Sequence, residues 1–199
     1  MPFKFSCYLI LLAFLPPGNH ALAAGIASAK KDTAKNDTAK TVLTSSLLKL
    51  PDSTIYITSI ATDTVSPAQL LTFACSLEGT PYKYGSMNPA KGFDCSGFVN
   101  YVFNHFGIEV PRSSSDFTFV QHQIDLKDAK PGDLILFTGT DSAIRKVGHI
   151  GIVLSPSPDG LKFIHSTSGK ARGVTETAMN GYYMGRYMMV IRVFPQNDK

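Results

Sequence analysis

The spacing of apolar positions changes along the chain. In "SPAQLLTFACSLEGT", Leu70, Leu71, Ala74, Cys75 and Leu77 recur at helical intervals between a Ser66-Pro67 start and a Gly79 stop. In "DCSGFVNYVFNHFGIEV", Phe98, Val99, Val102, Phe103 and Phe106 do the same. Asp94 is placed to cap that helix, Gly107 closes it, and Cys95 becomes its first residue. "PRSSSDFTFVQH" predicts a further short helix. Strand patterns follow. "PGDLILFTG" is announced by Pro131-Gly132, "VGHIGIVLS" alternates between two faces, "LKFIHSTS" follows a turn at Pro158 to Gly160, and "GVTET" and "YMMVIRVF" complete the series. Helices first and consecutive strands later predict an α+β domain, with N-terminal helices packed on an antiparallel sheet.

Upstream the pattern is different. Lys4, the apolar run "CYLILLAFL", the breakers Pro16, Pro17 and Gly18, and the small-residue "ALA" ending at Ala23 read as a cleaved secretory signal over residues 1–23. The run is too short for a permanent membrane helix. Cys7 precedes it rather than ending it, so no lipid attachment and no stable membrane anchor are expected. Residues 24–64, which include "ASAKKDTAKNDTAKTVLTSS", read as a low-complexity linker, with one short strand in "IYITSIATDTV". The folded domain is expected over 65–195, exported to the periplasm or cell envelope.

Composition narrows the chemistry a little. The chain has 44% hydrophobic and 17% charged residues and a net charge of +4. No basic stripe is interleaved with aromatics, so nucleic acid is set aside as a partner. Of three cysteines, removal of the signal leaves Cys75 and Cys95. Cys75 lies in an apolar helical stripe and reads as a small buried hydrophobe. Cys95 sits where unpaired amides and the helix dipole favour an anion, which suits a thiolate nucleophile, and Gly97 would keep that first turn open to substrate. A buried cysteine at a helix start is the competing reading, and a Cys75–Cys95 disulfide, open to an exported chain, would silence the thiol.

A nucleophilic cysteine needs a base. His105 falls on the polar side of its own helix and His122 in the polar stretch "VQHQID", so both are expected at the surface. His149 and His165 are embedded in apolar strands joined by a short connection. Such strands usually pair, which would set the two rings side by side, one taking the thiol proton and the other orienting it. One Cys and two His can also ligate zinc, but no Cys-x-x-Cys or His-x-x-x-His spacing supports a metal, and no cofactor is called for.

The segments "TPYKYGSMNPAKGFDCSGFVNYVFNHFGIEVPRSS", "PGDLILF", "VGHIGIVL" and "FIHSTSGKARGV" together resemble the NlpC family of cell-wall cysteine peptidases, most of all the small periplasmic murein endopeptidases. The resemblance implies a papain-like fold, with Cys95 as nucleophile, His149 as general base and His165 as the residue orienting it. It matches Tyr84 to a tyrosine near the thiol that positions substrate or the oxyanion. It also implies peptidoglycan as the partner, cut at a D-glutamyl–diamino acid bond within a stem peptide or at a D,D cross-link. Relatives that demand a free stem amine hold it with an aspartate directly after the arginine matching Arg112. Here that position is Ser113, which brings no countercharge, so stems still attached to glycan are expected to be accepted. Two other functions stay open on the sequence: a papain-like acyltransferase or amidase, and a catalytically silent wall-binding module. Oligomeric state is not legible.

Overall fold

The computed structural model describes residues 46–49, 55–62, 64–155 and 160–199. The expected signal, the linker before residue 46 and most of the Pro158 turn lie outside the described residues. In chain order the elements are β1 (Leu47–Lys49), β2 (Ile55–Ile57), α1 (Pro67–Ser76), β3 (Met87–Asn88), β4 (Gly92–Phe93) and α2 (Cys95–His105). They continue as β5 (Gln123–Ile124), β6 (Leu134–Thr138), β7 (Val147–Ser155), β8 (Lys162–Thr167), β9 (Gly173–Ala178), α3 (Gly181–Arg186) and β10 (Tyr187–Ile191).

Six strands form an antiparallel sheet in the order β5-β10-β6-β7-β8-β9. This is the α+β arrangement that the order of sequence patterns predicts. Ser66 starts α1 with a reciprocal cap: its hydroxyl accepts the Gln69 amide, and the Gln69 side chain accepts the Ser66 amide. Helix α2 is capped by Asp94 and buries Phe98, Val99, Val102 and Phe103 against Ile150 and Ile152 of β7 and Ile164 of β8. Each such side chain contributes about 1.5–3 kcal/mol by leaving water. The opposite face of the same strands carries Phe137, Val153 and Phe163 under Tyr183 and Met179. Two cores therefore sandwich the central strands, and neither face of "LILF" or "GIV" needs to be polar. Among the described residues no helix is long and apolar enough to cross a membrane.

The fold departs from expectation in three places. Part of the span read as linker, residues 55–62, packs on the domain. Strands β1 and β2 pair with each other, Tyr56 packs its ring 4.0 Å from that of Phe119, Gln121 donates its amide to the Thr58 carbonyl, and Thr62 donates its hydroxyl to the Val193 carbonyl at 3.0 Å. Burial of Ile60 and these hydrogen bonds attach the described residues 55–62 to the domain. The short helix expected in "PRSSSDFTFVQH" is a single 3-10 turn over Asp116–Phe119. Helix α3 has no counterpart in the sequence pattern. It is six residues long and contains two glycines, too short to display a period, and it is started by the Asn180 side chain accepting the Tyr183 amide.

Candidate active site

Cys95 is the first residue of α2. Asp94 anchors the turn: its carboxylate accepts the Gly97 amide and a bidentate pair from Arg112, at 2.8 Å to Oδ2 and 3.2 Å to Oδ1. Arg112 also donates to Ser96 Oγ at 3.0 Å. Gly97 is not there to admit substrate. It is buried, and a Cβ on it would collide with the Ser86 carbonyl oxygen, so this glycine lets the preceding loop lie directly on the helix start. The carbonyl of Phe93, two residues before the thiol, accepts the hydroxyl of Ser166 at 2.7 Å. That bond ties β8 to the start of α2.

Strands β7 and β8 are antiparallel neighbours, and they bring the two histidines together. His149 Nε2 lies 2.7 Å from His165 Nδ1, with the ring planes at 80°. His165 Nε2 is in turn 2.9 Å from Thr177 Oγ1 on β9. The amide of Ile150, the residue after His149, points at the Cys95 sulfur. The thiol thus rests on the β7 backbone beside His149, whose Nε2 is occupied and whose Nδ1 remains for chemistry. His105 stacks on Phe73 at 3.7 Å, and the His122 side chain is half exposed; neither joins the site.

Cys95 and His149 share a cavity of about 1140 Å³ with Tyr82, Lys170, Tyr182 and Arg186. Tyr84 does not belong to it: the residue is 85% exposed. Tyr82 is the cavity tyrosine. Its backbone is held on both sides, its amide donating to the Arg172 carbonyl and the next amide, of Lys83, to the Phe93 carbonyl. Pro81 meanwhile bridges to Gly173, where a Cβ would press on the Thr80 carbonyl. In an extended segment the side chains of Tyr82 and Tyr84 leave on the same side, so their spacing cannot separate them; bridges hold Tyr82, while Tyr84 opens a turn. Ser113 is exposed, with its hydroxyl 2.8 Å from that of Ser115, and it is not part of the cavity wall. Three further residues escaped the sequence reading: Tyr82, Thr177 and Arg186. Only Tyr82, in "TPYKYG", stood within a motif.

The electrostatics favour neutral partners at rest. Burial pushes the Cys95 thiol up, and Asp94 adds to the rise; the amides of Ile150, Ser96 and Cys95 pull the other way without winning. Burial pushes His149 well below the ordinary imidazole value, helped by His165 and the Arg186 charge. His165 is pushed down to about 3, chiefly by burial and then by Arg186. Cys75 and Cys95 are not bonded to each other, so the disulfide that would silence the thiol is not formed.

A cysteine at a helix start, a histidine pair on two neighbouring strands and a shared cavity on an α+β scaffold describe a papain-like thiol site. The chain belongs to the NlpC/P60 family, whose sequence profile matches residues 79–193. It is similar to gamma-DL-glutamyl hydrolase of Bacillus subtilis, with 32% identity over 67% of this chain and 32% of that one. It is also similar to the probable endopeptidase NlpC of Escherichia coli, with 34% identity over 54% of this chain and 65% of that one. The chain therefore spans about a third to two thirds of the length of these relatives. Among solved structures, an NlpC/P60 family protein from Bacillus cereus superimposes with a TM-score of 0.58 and 26% identity, over 73% of this chain and 46% of that one.

Proposed function

We propose that this protein is an exported cysteine endopeptidase that hydrolyses peptide bonds in peptidoglycan stem peptides. The observation that supports it most is the contact of His149 Nε2 with His165 Nδ1 at 2.7 Å, with His149 lining the cavity that also holds Cys95. One set of tautomers makes the array competent. His149 donates from Nε2 to His165 Nδ1, His165 donates from Nε2 to Thr177 Oγ1, and His149 Nδ1 keeps a lone pair. That lone pair accepts the Cys95 proton as the sulfur attacks the scissile carbonyl carbon. The imidazolium then donates its Nδ1 proton to the departing amine as the carbon–nitrogen bond breaks. Water, deprotonated by His149, hydrolyses the thioester and restores the thiol. Of the first-turn amides of α2, that of Gly97 is spent on the Asp94 carboxylate, and those of Cys95 and Ser96, beside the sulfur, can donate to the oxyanion. His165 is a positioning residue in this scheme, and Tyr82 is the cavity tyrosine that orients substrate.

Similarity to a protein named as a gamma-DL-glutamyl hydrolase favours the D-glutamyl–diamino acid bond over the D,D cross-link. Residues 1–23 serve as the export signal in this reading, to periplasm or envelope. Ser113, next to the arginine pinned on Asp94, is the position where an aspartate would favour released peptides over glycan-linked stems. The experiment is mass spectrometry of muropeptides digested by the wild type and by Cys95→Ala. New stem fragments from the wild type alone are expected, and the same fragments from both proteins would sink the thiol mechanism.

A further inference from the structure

The strand that carries His149 is irregular beside His149 itself. Phe137 of β6 pairs with His149 of β7, and the next residue of β6, Thr138, pairs with Val147. One step along β6 therefore spans two along β7, and Gly148 is the extra residue of a β-bulge immediately before His149. Such a bulge interrupts the ladder and re-aims the side chain next to it. Close approach of the two strands demands the glycine: a Cβ on Gly148 would lie 2.9 Å from both Cα and N of Gly139.

At this interruption a side chain holds the β6 carbonyls. Arg186 of α3 donates from Nη2 to the Thr138 carbonyl at 2.8 Å and from Nε to the Gly139 carbonyl at 2.9 Å. Its Nη1 donates to the Tyr182 hydroxyl oxygen at 2.7 Å. The guanidinium carbon also lies 5.6 Å from the centre of the Tyr183 ring, and Tyr183 meets the His165 ring edge-on at 5.6 Å and 88°. One side chain thus touches a support of each histidine. The tie runs both ways, because Arg145 of the β6–β7 connection donates to the Gly185 and Tyr187 carbonyls at 3.2 and 2.7 Å.

We propose that Arg186 is the positioning residue of the histidine pair, pinning the end of β6 against the Gly148 bulge and so setting the direction in which His149 leaves β7. The proposal deepens the peptidase reading and rests on it. The charge of Arg186 has a second effect. The residue is only 6% exposed, and among the described residues it makes no ion pair. An unpaired buried cation is costly, and this one disfavours the protonated form of both histidines. The other ionisable groups around His149 do not offset it. Cys95 of α2 and Tyr82 of the preceding loop are neutral at rest, β6 carries no ionisable side chain, and Lys170 of the β8–β9 turn is exposed. Asp94 is paired with Arg112. Glu176 of β9 lies between Thr175 and Thr177, which both line the cavity, so the pleat turns it to the other face.

The test reads geometry and charge separately, on the full chain. Wild type, Arg186→Lys, Arg186→Met and Gly148→Ala are compared by kcat and KM on a γ-glutamyl stem tripeptide, by the acid limb of kcat/KM, and by the protonation midpoint of His149 from its ring-nitrogen resonances. Lysine keeps the charge and loses the fork: kcat is expected to fall about tenfold, with KM changed by less than about twofold and both midpoints unmoved. Methionine loses both, so kcat falls likewise and both midpoints rise by about one pH unit. Gly148→Ala disturbs the bulge with Arg186 intact, and it should lower kcat about tenfold without moving either midpoint. It decides the geometry even if Arg186→Met does not fold. Wild-type kcat in Arg186→Lys or Gly148→Ala, or unmoved midpoints in a folded Arg186→Met, overturns the proposal. A raised His149 midpoint in Arg186→Met, with no cleavage by any form including the wild type, keeps the hold of Arg186 on the histidines and overturns the peptidase reading.

Discussion

His149 Nε2 and His165 Nδ1 stand 2.7 Å apart with their rings nearly perpendicular. This one contact occupies Nε2 of His149 and leaves Nδ1 as the nitrogen that the proposed mechanism uses. It therefore ranks the effects of mutation. Cys95→Ala and His149→Ala should each lower kcat by about 10³-fold or more, whereas His165→Gln should cost about 10- to 100-fold, because an amide can still accept from Nε2. Far-ultraviolet circular dichroism should be unchanged in all three. Full activity in His149→Ala would remove the base assignment.

Thr177 ends the chain of hydrogen bonds. Without its acceptor, His165 can move its proton to Nδ1 and turn His149 into the unproductive tautomer. Thr177→Val is expected to lower kcat by about tenfold, and Thr177→Ser to restore it. A Val variant as active as the wild type would show that the second tautomer is not held by this bond.

The two tyrosines of "PYKYG" should separate cleanly. Tyr82 shares the cavity with Cys95, while Tyr84 is 85% exposed. Tyr82→Phe is expected to reduce kcat/KM by about tenfold, and Tyr84→Phe by less than about twofold. Steady-state kinetics on one stem peptide decides it, and the reverse ranking would restore Tyr84 to the site.

The pH profile follows from the shifts. The working state needs neutral His149 and a thiol proton to transfer. With His149 well below 6.5 and Cys95 raised above its ordinary value, kcat/KM should be flat across neutral pH and fall only far to the acid and alkaline sides. Stability has its own acid limb. His165 is about 3 in the fold against an ordinary 6.5, so the unfolded chain binds the extra proton between those values. The contribution is complete above pH 6.5 and is lost as pH falls toward 3. Thermal melts should show that slope, and His165→Gln should flatten it. An acid limb of kcat/KM at or above 6.5 would contradict the buried, neutral base.

Arg112 neutralises Asp94 beside the thiol. Its side chain is 41% exposed, so solvent screening limits the pair, and Arg112→Ala should cost about 1 kcal/mol in stability. The larger effect should fall on catalysis, because an unneutralised Asp94 raises the thiol further. Labelling of Cys95 by iodoacetamide should slow and its pH midpoint move up. An unchanged midpoint would argue that Asp94 does not act on the sulfur.

The sequence by itself determined the elements that carry the chemistry. Helical spacing from Phe98 to Phe106 and the Asp94 cap put Cys95 at a helix start, and the apolar alternation around His149 and His165 put both on strands that pair. These signals are local: they depend on residues a few positions apart and on rules of backbone geometry. The identity of the cavity tyrosine, the third partner Thr177 and the buried Arg186 were decided only by tertiary structure. Tyr82 and Tyr84 have the same parity, and the bridges of Pro81 to Gly173 and of Tyr82 to Phe93 hold Tyr82 in place while Tyr84 opens a turn. Thr177 meets His165 because β8 and β9 pair in a register that sets Thr175 opposite His165, which no spacing within either strand specifies. Arg186 lies in a helix too short to show a period, and its neutral partners come from residues more than forty positions away as well as from the preceding turn. Charge balance in a cavity is a sum over the segments that line it, and those segments meet only after the chain has folded.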